Sequence, residues 1–248
     1  MPNENPTKHD TLVAVATLNE IENLPDLVNS IFSHVPQSDL LVIDDKSPDG
    51  TGQWCDKKSK EETRLTCMHR EGKLGLGTAM VAAMQYAMEH EYAFLVVLDG
   101  DYSHDPAAIP QLLEAVQSED INADVAIGSR YVKGGGMVGW PLKRHLMSRC
   151  INIYARLMLS LPVKDCSGSF RCYRVSRLRD LQFEQIVSHG YSFFEEILWR
   201  LHRVDSKFHE VPITFTERVK GASKINLKEA YWSVWVMFRL GCRNWLGF

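Results

Sequence analysis

Short apolar runs alternate with amphipathic stretches along the first half of the chain. Runs of three to five apolar residues with no polar alternation predict strands that are buried on both faces of a sheet. These runs cover residues 12–16, 40–43, 65–68, 94–98 and 125–127. The segments between them predict helices, at residues 53–62, 79–89 and 109–116 and after residue 19. This alternation predicts an α/β fold with a doubly wound, mostly parallel sheet and right-handed crossovers.

The first predicted helix carries the clearest apolar stripe. Its apolar residues recur at three- and four-residue steps, which lays one face against the sheet. They are Leu24, Leu27, Val28, Ile31 and Phe32. Asn19 and Glu22 stand at the spacing of a capping box, so we expect Asn19 to cap this helix.

The pattern changes after residue 128. Four glycines lie between residues 134 and 139, and five basic side chains lie between Arg130 and Arg149. This composition predicts a flexible loop beside cationic side chains. Further on we predict helices at 143–159 and 193–201 and strands near 170–173 and 208–215. With no internal repeat or low-complexity linker, we divide the chain into a flexible N-terminus, one domain and a C-terminal amphipathic helix, at 1–10, 11–224 and 225–248.

Composition narrows the class of protein. The 248 residues are 45% hydrophobic, which suits a globular protein with a substantial core, and the net charge of −3 argues against a nucleic-acid binder. The polar first ten residues lack the apolar region of a signal peptide, so a cytoplasmic location is expected. The six cysteines show no Cys-x-x-Cys pair, which indicates reduced thiols.

The C-terminal stretch 227–248 mixes tryptophans with Arg239 and Arg243, and no run of about 18 uncharged apolar residues appears in the chain. Rings beside arginines are typical of a helix that lies in a membrane interface. A core or oligomer helix has the same composition. Both interpretations stay open from the sequence.

Four acidic residues follow two of the predicted strands. Asp44 and Asp45 end the strand at 40–43, and Asp99 and Asp101 end the strand at 94–98. Strand ends of a doubly wound sheet meet at the edge where such folds bind ligands. Nearby carboxylates repel unless a cation lies between them, and Mg²⁺ is commonly shared between carboxylates and phosphates. One pair is therefore a candidate metal site and the other a candidate ribose or base contact; turn hydrogen bonding is the alternative for any single aspartate.

Basic residues supply candidate anion contacts. Arg130, Arg144 and Arg149, with Ser148, flank the glycine-rich loop, and arginine matches phosphate oxygens, although a solvated helix face is the alternative. Residues 70–78 form a glycine-rich turn before a helix, which is a weak anion-site signal. The turn at 216–224 is another candidate phosphate contact, with Arg218, Lys220 and Lys224.

Several segments together resemble family 2 glycosyltransferases of the polyprenyl-phosphate class, most of all dolichol-phosphate mannosyltransferases, over nearly the whole chain. The matching segments are TLNEIENL (17–24), DDKSPDGTG (44–52), REGKLGLGTA (70–79), LDGDYSHDP (98–106), GSRY (128–131), GWPLKRHLMSR (139–149), SGSFRCYR (167–174) and ERVKGASK (217–224). Leu18 stands where an aromatic residue is common, and Lys46 replaces a common glycine. Both departures bear on nucleobase contacts.

The resemblance implies a GT-A-like fold and GDP-mannose as donor. Donor-binding residues would be Thr17, Asn19, Glu20, Asp44, Asp45, Lys73, Gly100, Arg218 and Lys224. Asp99 and Asp101 would bind Mg²⁺ or Mn²⁺, with Ser103 where some relatives have a metal-binding glutamine. The phosphate of a polyprenyl or dolichyl phosphate acceptor would contact Arg130, Arg144 and Ser148. The resemblance also implies a peripheral protein on the cytosolic face of a membrane, with small membrane subunits as possible partners.

The expected reaction is one inverting displacement in which Asp99, Asp101 and Arg130 are catalytic. The ionised lipid phosphate needs no dedicated base, and Asp165 is a fallback candidate for one. Three alternatives remain: a UDP-glucose-dependent glucosyltransferase, a phosphatase with Asp99 as nucleophile and Asp101 as acid/base, and a nonenzymatic nucleotide-sugar-binding or scaffold subunit.

Overall fold

The structure is a computed structural model that describes residues 9–217 and 227–246. The strands are β1 (Thr11–Thr17), β2 (Ser38–Asp44), β3 (Leu65–His69), β4 (Phe94–Asp99), β5 (Val125–Ser129), β6 (Gly136–Val138), β7 (Arg171–Arg174), β8 (Phe208–Pro212) and β9 (Thr214–Thr216). The helices are α1 (Leu24–His34), α2 (Thr51–Glu61), α3 (Leu76–Glu89), α4 (Ile109–Gln117), α5 (Leu142–Leu159), α6 (Val175–Leu178), α7 (Phe193–Arg203) and α8 (Leu227–Leu246).

The described residues form a seven-stranded sheet in the order β3-β2-β1-β4-β7-β5-β8. Strand β7 runs antiparallel to β4 and β5, whereas the other neighbouring strands are parallel. The predicted mostly parallel sheet is thus confirmed. The periodicity of the sequence did not reveal that a late, four-residue strand is inserted between β4 and β5.

Helices cover both faces of the sheet. Alternate residues of β4 point to opposite sides, so Val97 belongs to the same buried cluster as residues of α3, α5, α7 and α8, and Val96 belongs to the cluster of α1, α2 and α4. Both side chains are at most 1% exposed. This two-sided burial explains why the strands appear in the sequence as continuous apolar runs.

The apolar stripe of α1 is confirmed, but the predicted capping box is wrong. Helix α1 follows Asn23, and the backbone carbonyl of Glu20 accepts the Leu24 N–H at 2.8 Å. Asn19 lies outside the helix with a φ of 58°, and its N–H donates to Ser47 Oγ at 2.9 Å. The reason is that residues 20–23 form a separate turn, which moves the N-cap four residues on, from Asn19 to Asn23.

The segment predicted as a flexible glycine-rich loop contains regular structure. Strand β6 pairs in parallel with β9, and the Gly136 N–H donates to Ile213 O at 2.9 Å. Gly134 and Gly139 have φ values of 94° and 86°, which favour glycine and let the chain turn on either side of β6. This strand pair carries the chain from β5 to the start of α5.

Helix α8 has one buried face and one exposed face. Val236, Met237 and Leu240 are buried in the same core as residues of α5 and α7. Its exposed apolar residues are Tyr231, Trp232, Val234, Trp235, Phe238, Trp245 and Leu246. Among the described residues, no helix combines the length and apolar character needed to cross a membrane. The division of the chain at residues 224 and 225 stays a prediction, since 218–226 are outside the described residues.

Candidate active site

Three neighbouring strands deliver polar side chains to one edge of the sheet. Thr17 ends β1 and lies opposite Asp44 at the end of β2, while Ala16 of β1 lies opposite Asp99 at the end of β4. The parallel register therefore brings the two predicted acidic pairs to the same carboxyl edge. This is the edge at which open α/β sheets bind ligands.

The carboxylate of Asp44 is buried and is held in place by hydrogen bonds from neighbouring residues. Its Oδ1 accepts hydrogen bonds from Thr17 Oγ1 at 3.1 Å and from Ser47 Oγ at 2.5 Å, and its Oδ2 accepts the Ser47 N–H at 3.0 Å. The Glu20 N–H donates to Thr51 Oγ1 at 3.0 Å. The loops after β1 and β2 are thereby tied together.

Lys46 lies in the turn after Asp44 and has a φ of 57°, a left-handed conformation that glycine adopts at no steric cost. The structure thus gives a backbone reason why the resemblance expects a glycine here. Asn19 is exposed on the facing loop. Leu18, the other departure from the resemblance, stands between Asn19 and Thr17.

Asp45 is paired with an arginine that the sequence did not single out. Arg70, directly after β3, places Nε 3.2 Å from Asp45 Oδ1. Burial raises the pKa of Asp45, although the Arg70 guanidinium opposes that shift. The Arg70 Nη2 also donates to Thr78 Oγ1 at 2.5 Å. Arg70 therefore links the β2 end to the first turn of α3.

Asp99, Asp101 and Ser103 stand on one tight turn after β4. Asp101 Oδ1 accepts the Ser103 N–H at 3.1 Å, and the intervening Tyr102 has a φ of 60°. Asp99 has a side chain that is 33% exposed, whereas Asp101 and Ser103 are buried. Within the described residues, the buried Ser103 Oγ has no hydrogen-bond partner.

This oxygen set suits a hard divalent cation. Mg²⁺ and Mn²⁺ prefer carboxylate and other oxygen ligands, and the turn offers two carboxylates with an unsatisfied hydroxyl beside them. Gly100 lets the turn approach β1, because a Cβ there would lie 3.0 Å from Ala16 O. The residues present therefore fit the metal that the sequence predicts.

His104 was missed in the sequence, although it follows the acidic turn directly. Its Nδ1 lies 3.7 Å from Asp99 Oδ2, and its ring packs against Phe170 and Phe215 at centroid distances of 5.2 and 5.1 Å. Burial lowers the pKa of His104 despite the nearby Asp99. A neutral imidazole therefore stands behind the carboxylate pair.

Arg130 is buried and held by Asp165. The guanidinium Nε and Nη2 donate to Asp165 Oδ2 and Oδ1, each at 2.7 Å, and Nη2 also donates to Ser167 Oγ at 3.0 Å. The carboxylate also accepts the N–H groups of Arg130 and Gly168. Burial alone would raise the pKa of Asp165, but Arg130 outweighs it and holds that pKa below its ordinary value.

The prediction that Asp165 could serve as a fallback general base is therefore wrong. Its side chain is 0% exposed, and both of its oxygens accept hydrogen bonds from Arg130 and the backbone. A general base must reach the proton that it removes. Asp165 instead orients the guanidinium of Arg130.

The start of α5 faces this arginine. Tyr131 OH donates to Ser148 Oγ at 2.6 Å, and Arg130 lies 5.5 Å from the centre of the Tyr131 ring. Arg144 stacks on Trp140 at 4.1 Å and pairs with Glu217 at 2.7 Å. Tyr131 thus contacts both Arg130 and Ser148, and the Trp140 ring lies 5.6 Å from Arg130 and 4.1 Å from Arg144.

The remaining predicted residues are exposed or lie outside the described residues. Arg149 is exposed on α5, and Lys73 is exposed on the glycine-rich turn before α3. In the first turn of α3 the Gly77 N–H already donates to His189 O at 2.9 Å, so this N–H is not available to an anion. Arg218, Lys220 and Lys224 lie outside the described residues.

Comparison with known proteins gives matches to glycosyltransferases. Residues 12–182 match the family model "Glycosyl transferase family 2". The chain is 43% identical over 215 residues to an undecaprenyl-phosphate mannosyltransferase of Micrococcus luteus, which covers 87% of each chain. It is 41% identical over 228 residues to a polyprenol monophosphomannose synthase of Mycolicibacterium smegmatis, covering 90% of this chain and 85% of the relative.

The fold also has solved counterparts. A mannosyltransferase from Pyrobaculum calidifontis in complex with GDP-Man and Mn²⁺ superposes with a TM-score of 0.59 at 13% identity. The match covers 88% of this chain and 59% of that one. At this identity the likeness concerns the fold, which is the GT-A arrangement expected from the sequence.

Proposed function

The chain belongs to glycosyl transferase family 2, and from this premise we propose that it transfers mannose from GDP-mannose to a polyprenyl phosphate with inversion. One observation carries the proposal: the buried Arg130 guanidinium lies 5.7 Å from the centre of the Phe215 ring, which packs on His104 beside Asp99. A cation fixed beside a metal-type carboxylate pair suits a reaction between two phosphate-bearing substrates. The names of both curated relatives support a mannosyl donor and a polyprenyl acceptor.

We assign the nucleoside of the donor to the ends of β1 and β2. Thr17, Asn19 and Glu20 line one loop, and Asp44 and Asp45 line the other. Hydrogen bonds from Thr17 and Ser47 hold the Asp44 carboxylate in place before any ligand binds. Such preorganisation lowers the entropic cost of recognising a ribose or a base. The mannosyl transfer named for both curated relatives supports a mannose nucleotide as the donor.

Asp99, Asp101 and Ser103 would hold Mg²⁺ or Mn²⁺ at the donor diphosphate. When bound, the ion supplies positive charge that stabilises the departing diphosphate. The neutral His104 is buried, and its Nδ1 lies 3.7 Å from Asp99 Oδ2. Gly100 lets the turn that carries these residues lie directly on β1.

Arg130, Arg144 and Ser148 would receive the acceptor phosphate. A phosphate monoester has a second pKa near ~6, so its oxygen is largely ionised at neutral pH and attacks without a base. A bond forms between that oxygen and the anomeric carbon while the carbon–oxygen bond to GDP breaks, and its electron pair leaves with GDP. Asp165 keeps Arg130 charged and aimed throughout this step.

The polyprenyl chain and the membrane would meet α5 and α8. Exposed apolar side chains on α5 include Leu142, Leu146 and Met147, which flank Arg144 and Ser148. The exposed rings of α8 lie on a helix that packs against α5. Apolar side chains beside basic ones suit the surface of an anionic membrane, so we propose a peripheral location.

The test is an incubation of purified protein with labelled GDP-mannose or UDP-glucose, with and without a polyprenyl phosphate. We expect label in the organic phase with GDP-mannose only, and only when the lipid phosphate is present. Transfer from UDP-glucose instead would overturn the assignment of the sugar. Nucleotide-sugar binding without turnover would show a binding protein rather than an enzyme.

A further inference from the structure

A thiol, an imidazole and a carboxylate meet at the edge strand of the sheet. The ligand atoms of Asp56, Cys67 and His69 all lie within 4.8 Å of one another. His69 Nε2 is 2.7 Å from Asp56 Oδ1. Strands β2 and β1 separate β3 from β4, so this cluster is distinct from the carboxylates of Asp99 and Asp101.

Two elements fix this geometry. Cys67 and His69 are two residues apart on β3, so their side chains leave the same face of the strand. That face meets α2, which carries Asp56. Behind the cluster, Cys55 of α2 is buried in the core against which the half-buried Cys67 packs. Asp56 and His69 are about half exposed, which leaves an entry path from solvent.

We propose that Asp56, Cys67 and His69 form a zinc-binding site, with a water molecule as the fourth ligand. Zn²⁺ takes sulfur, nitrogen and oxygen ligands in tetrahedral sites, and thiolate with imidazole selects it over Mg²⁺ and Mn²⁺. The oxygen ligands after β4 have the opposite preference. One chain would thus hold two divalent ions of different chemistry.

The bound ion would clamp α2 to β3. His69 is followed by Arg70, which pairs with Asp45, and its ring also lies near Asp44: a Cβ on Gly52 would lie 3.1 Å from His69 Cε1 and 3.0 Å from Asp44 Oδ2. Because an ion that binds only the folded state raises stability, Zn²⁺ should raise the Tm of the protein. This effect does not depend on the proposed transfer reaction.

The experiment uses the full chain without an affinity tag, stripped of metal and kept reduced. Titration with Co²⁺ should give a near-ultraviolet thiolate-to-cobalt absorption and the intense visible bands of a tetrahedral ion, and Zn²⁺ should abolish both. Cys67→Ser should remove the thiolate band. His69→Gln and Asp56→Asn should weaken Co²⁺ binding by at least ~10-fold. Cys150→Ser, at the exposed thiol on α5, is the matched control and should keep the full spectrum.

The expected Tm shift with Zn²⁺ should be present in the wild type and in Cys150→Ser, and absent in Cys67→Ser. Absence of the thiolate band in the folded wild type would overturn the proposal. So would a band that survives Cys67→Ser. A band displaced equally well by Mn²⁺ would also contradict the selectivity that the ligands require.

Discussion

Arg130 and Asp165 form a buried, bidentate ion pair, in which both hydrogen bonds between the guanidinium and the carboxylate are 2.7 Å long. The residues are 35 positions apart in the chain. Arg130 follows β5 and Asp165 follows α5, so the pair joins the sheet edge to the helix that carries Ser148. It is the contact that fixes a cation at the candidate acceptor site.

Asp165→Asn should strongly destabilise the protein, because it leaves the buried guanidinium of Arg130 without the carboxylate that pairs with it. Removing one partner of such a pair costs about 3–5 kcal/mol. Urea unfolding at neutral pH measures the loss. The control is Asp180→Asn, whose carboxylate pairs with Arg177 at the surface and should cost at most about 1 kcal/mol. Equal losses in the two variants would contradict the importance of the buried pair.

The Arg130–Asp165 pair should also make the stability of the protein depend on pH. The folded-state pKa of Asp165 lies below its ordinary value, so its contribution to stability is present above that ordinary value, near ~4. The contribution is lost as the pH falls through the lowered folded-state pKa. Asp165→Asn should therefore lie furthest below the wild type in stability at neutral pH, and the gap should narrow in acid.

Ser148→Ala should weaken the acceptor site without changing the donor site. The variant removes a hydroxyl beside Tyr131, and a hydrogen bond to a charged group is worth about 1.5–3 kcal/mol. We expect KM for polyprenyl phosphate to rise roughly 10-fold or more, with KM for GDP-mannose unchanged. Ser33→Ala on the exposed end of α1 is the control. A rise in the donor KM alone would show that Ser148 belongs to another subsite.

Glu195 should make the stability of the protein fall as the pH rises. Burial raises the pKa of this carboxyl to about 7. Between its ordinary pKa and about 7 the unfolded state gives up a proton that the folded state keeps, so the free energy of unfolding decreases with pH. Glu195→Gln removes that slope, and its stability relative to wild type should increase by up to about 3 kcal/mol from pH 4 to pH 8.

Urea unfolding of Glu195→Gln across this pH range is the measurement. Glu184→Gln, at an exposed position, is the control and should run parallel to the wild type. If Glu195→Gln also runs parallel, the carboxyl of Glu195 is ionised in the folded protein, contrary to the predicted shift.

The exposed rings of α8 should contribute to membrane binding. Replacing Trp235 and Phe238 together by glutamine should lower binding to vesicles with anionic lipid by at least ~10-fold, because each ring buries apolar surface in the interface. Cosedimentation measures the binding. Ile121→Gln, at a similarly exposed apolar position, should bind as the wild type does. Unchanged binding of the double variant would assign the α8 face to another partner.

The sequence predicted much of the fold because buried strands and amphipathic helices have clear periods. It did not predict where β7 lies, since four residues carry no information about which strands flank them. The failed cap at Asn19 has a similar cause: the residue types fit a capping box, but a turn at residues 20–23 precedes the helix.

In the candidate site too, local motifs could be recognised in the sequence, whereas contacts between distant residues could not. Asp99 and Asp101 could be selected as candidate metal ligands because the motif is local and ends a buried strand. Arg70 and Asp165 act through residues distant in the chain, namely Asp45 and Arg130, and only the fold reveals those contacts. His104 is different, because it lies beside the acidic motif and its position alone was a usable signal.

The proposed metal-binding role of Asp101 is tested by the rate of mannosyl-lipid formation by Asp101→Asn, compared with that by Asp105→Asn. Asp105 follows the same turn, and its carboxylate accepts the Ala107 N–H, which asparagine can also do. With GDP-mannose, Mn²⁺ and polyprenyl phosphate, we predict that Asp101→Asn loses at least ~10²-fold in rate while Asp105→Asn keeps wild-type activity. Excess chelator should stop the wild type reversibly. Full transfer by folded Asp101→Asn, or by the wild type in chelator, would contradict the proposal that Asp101 binds a metal ion needed for transfer.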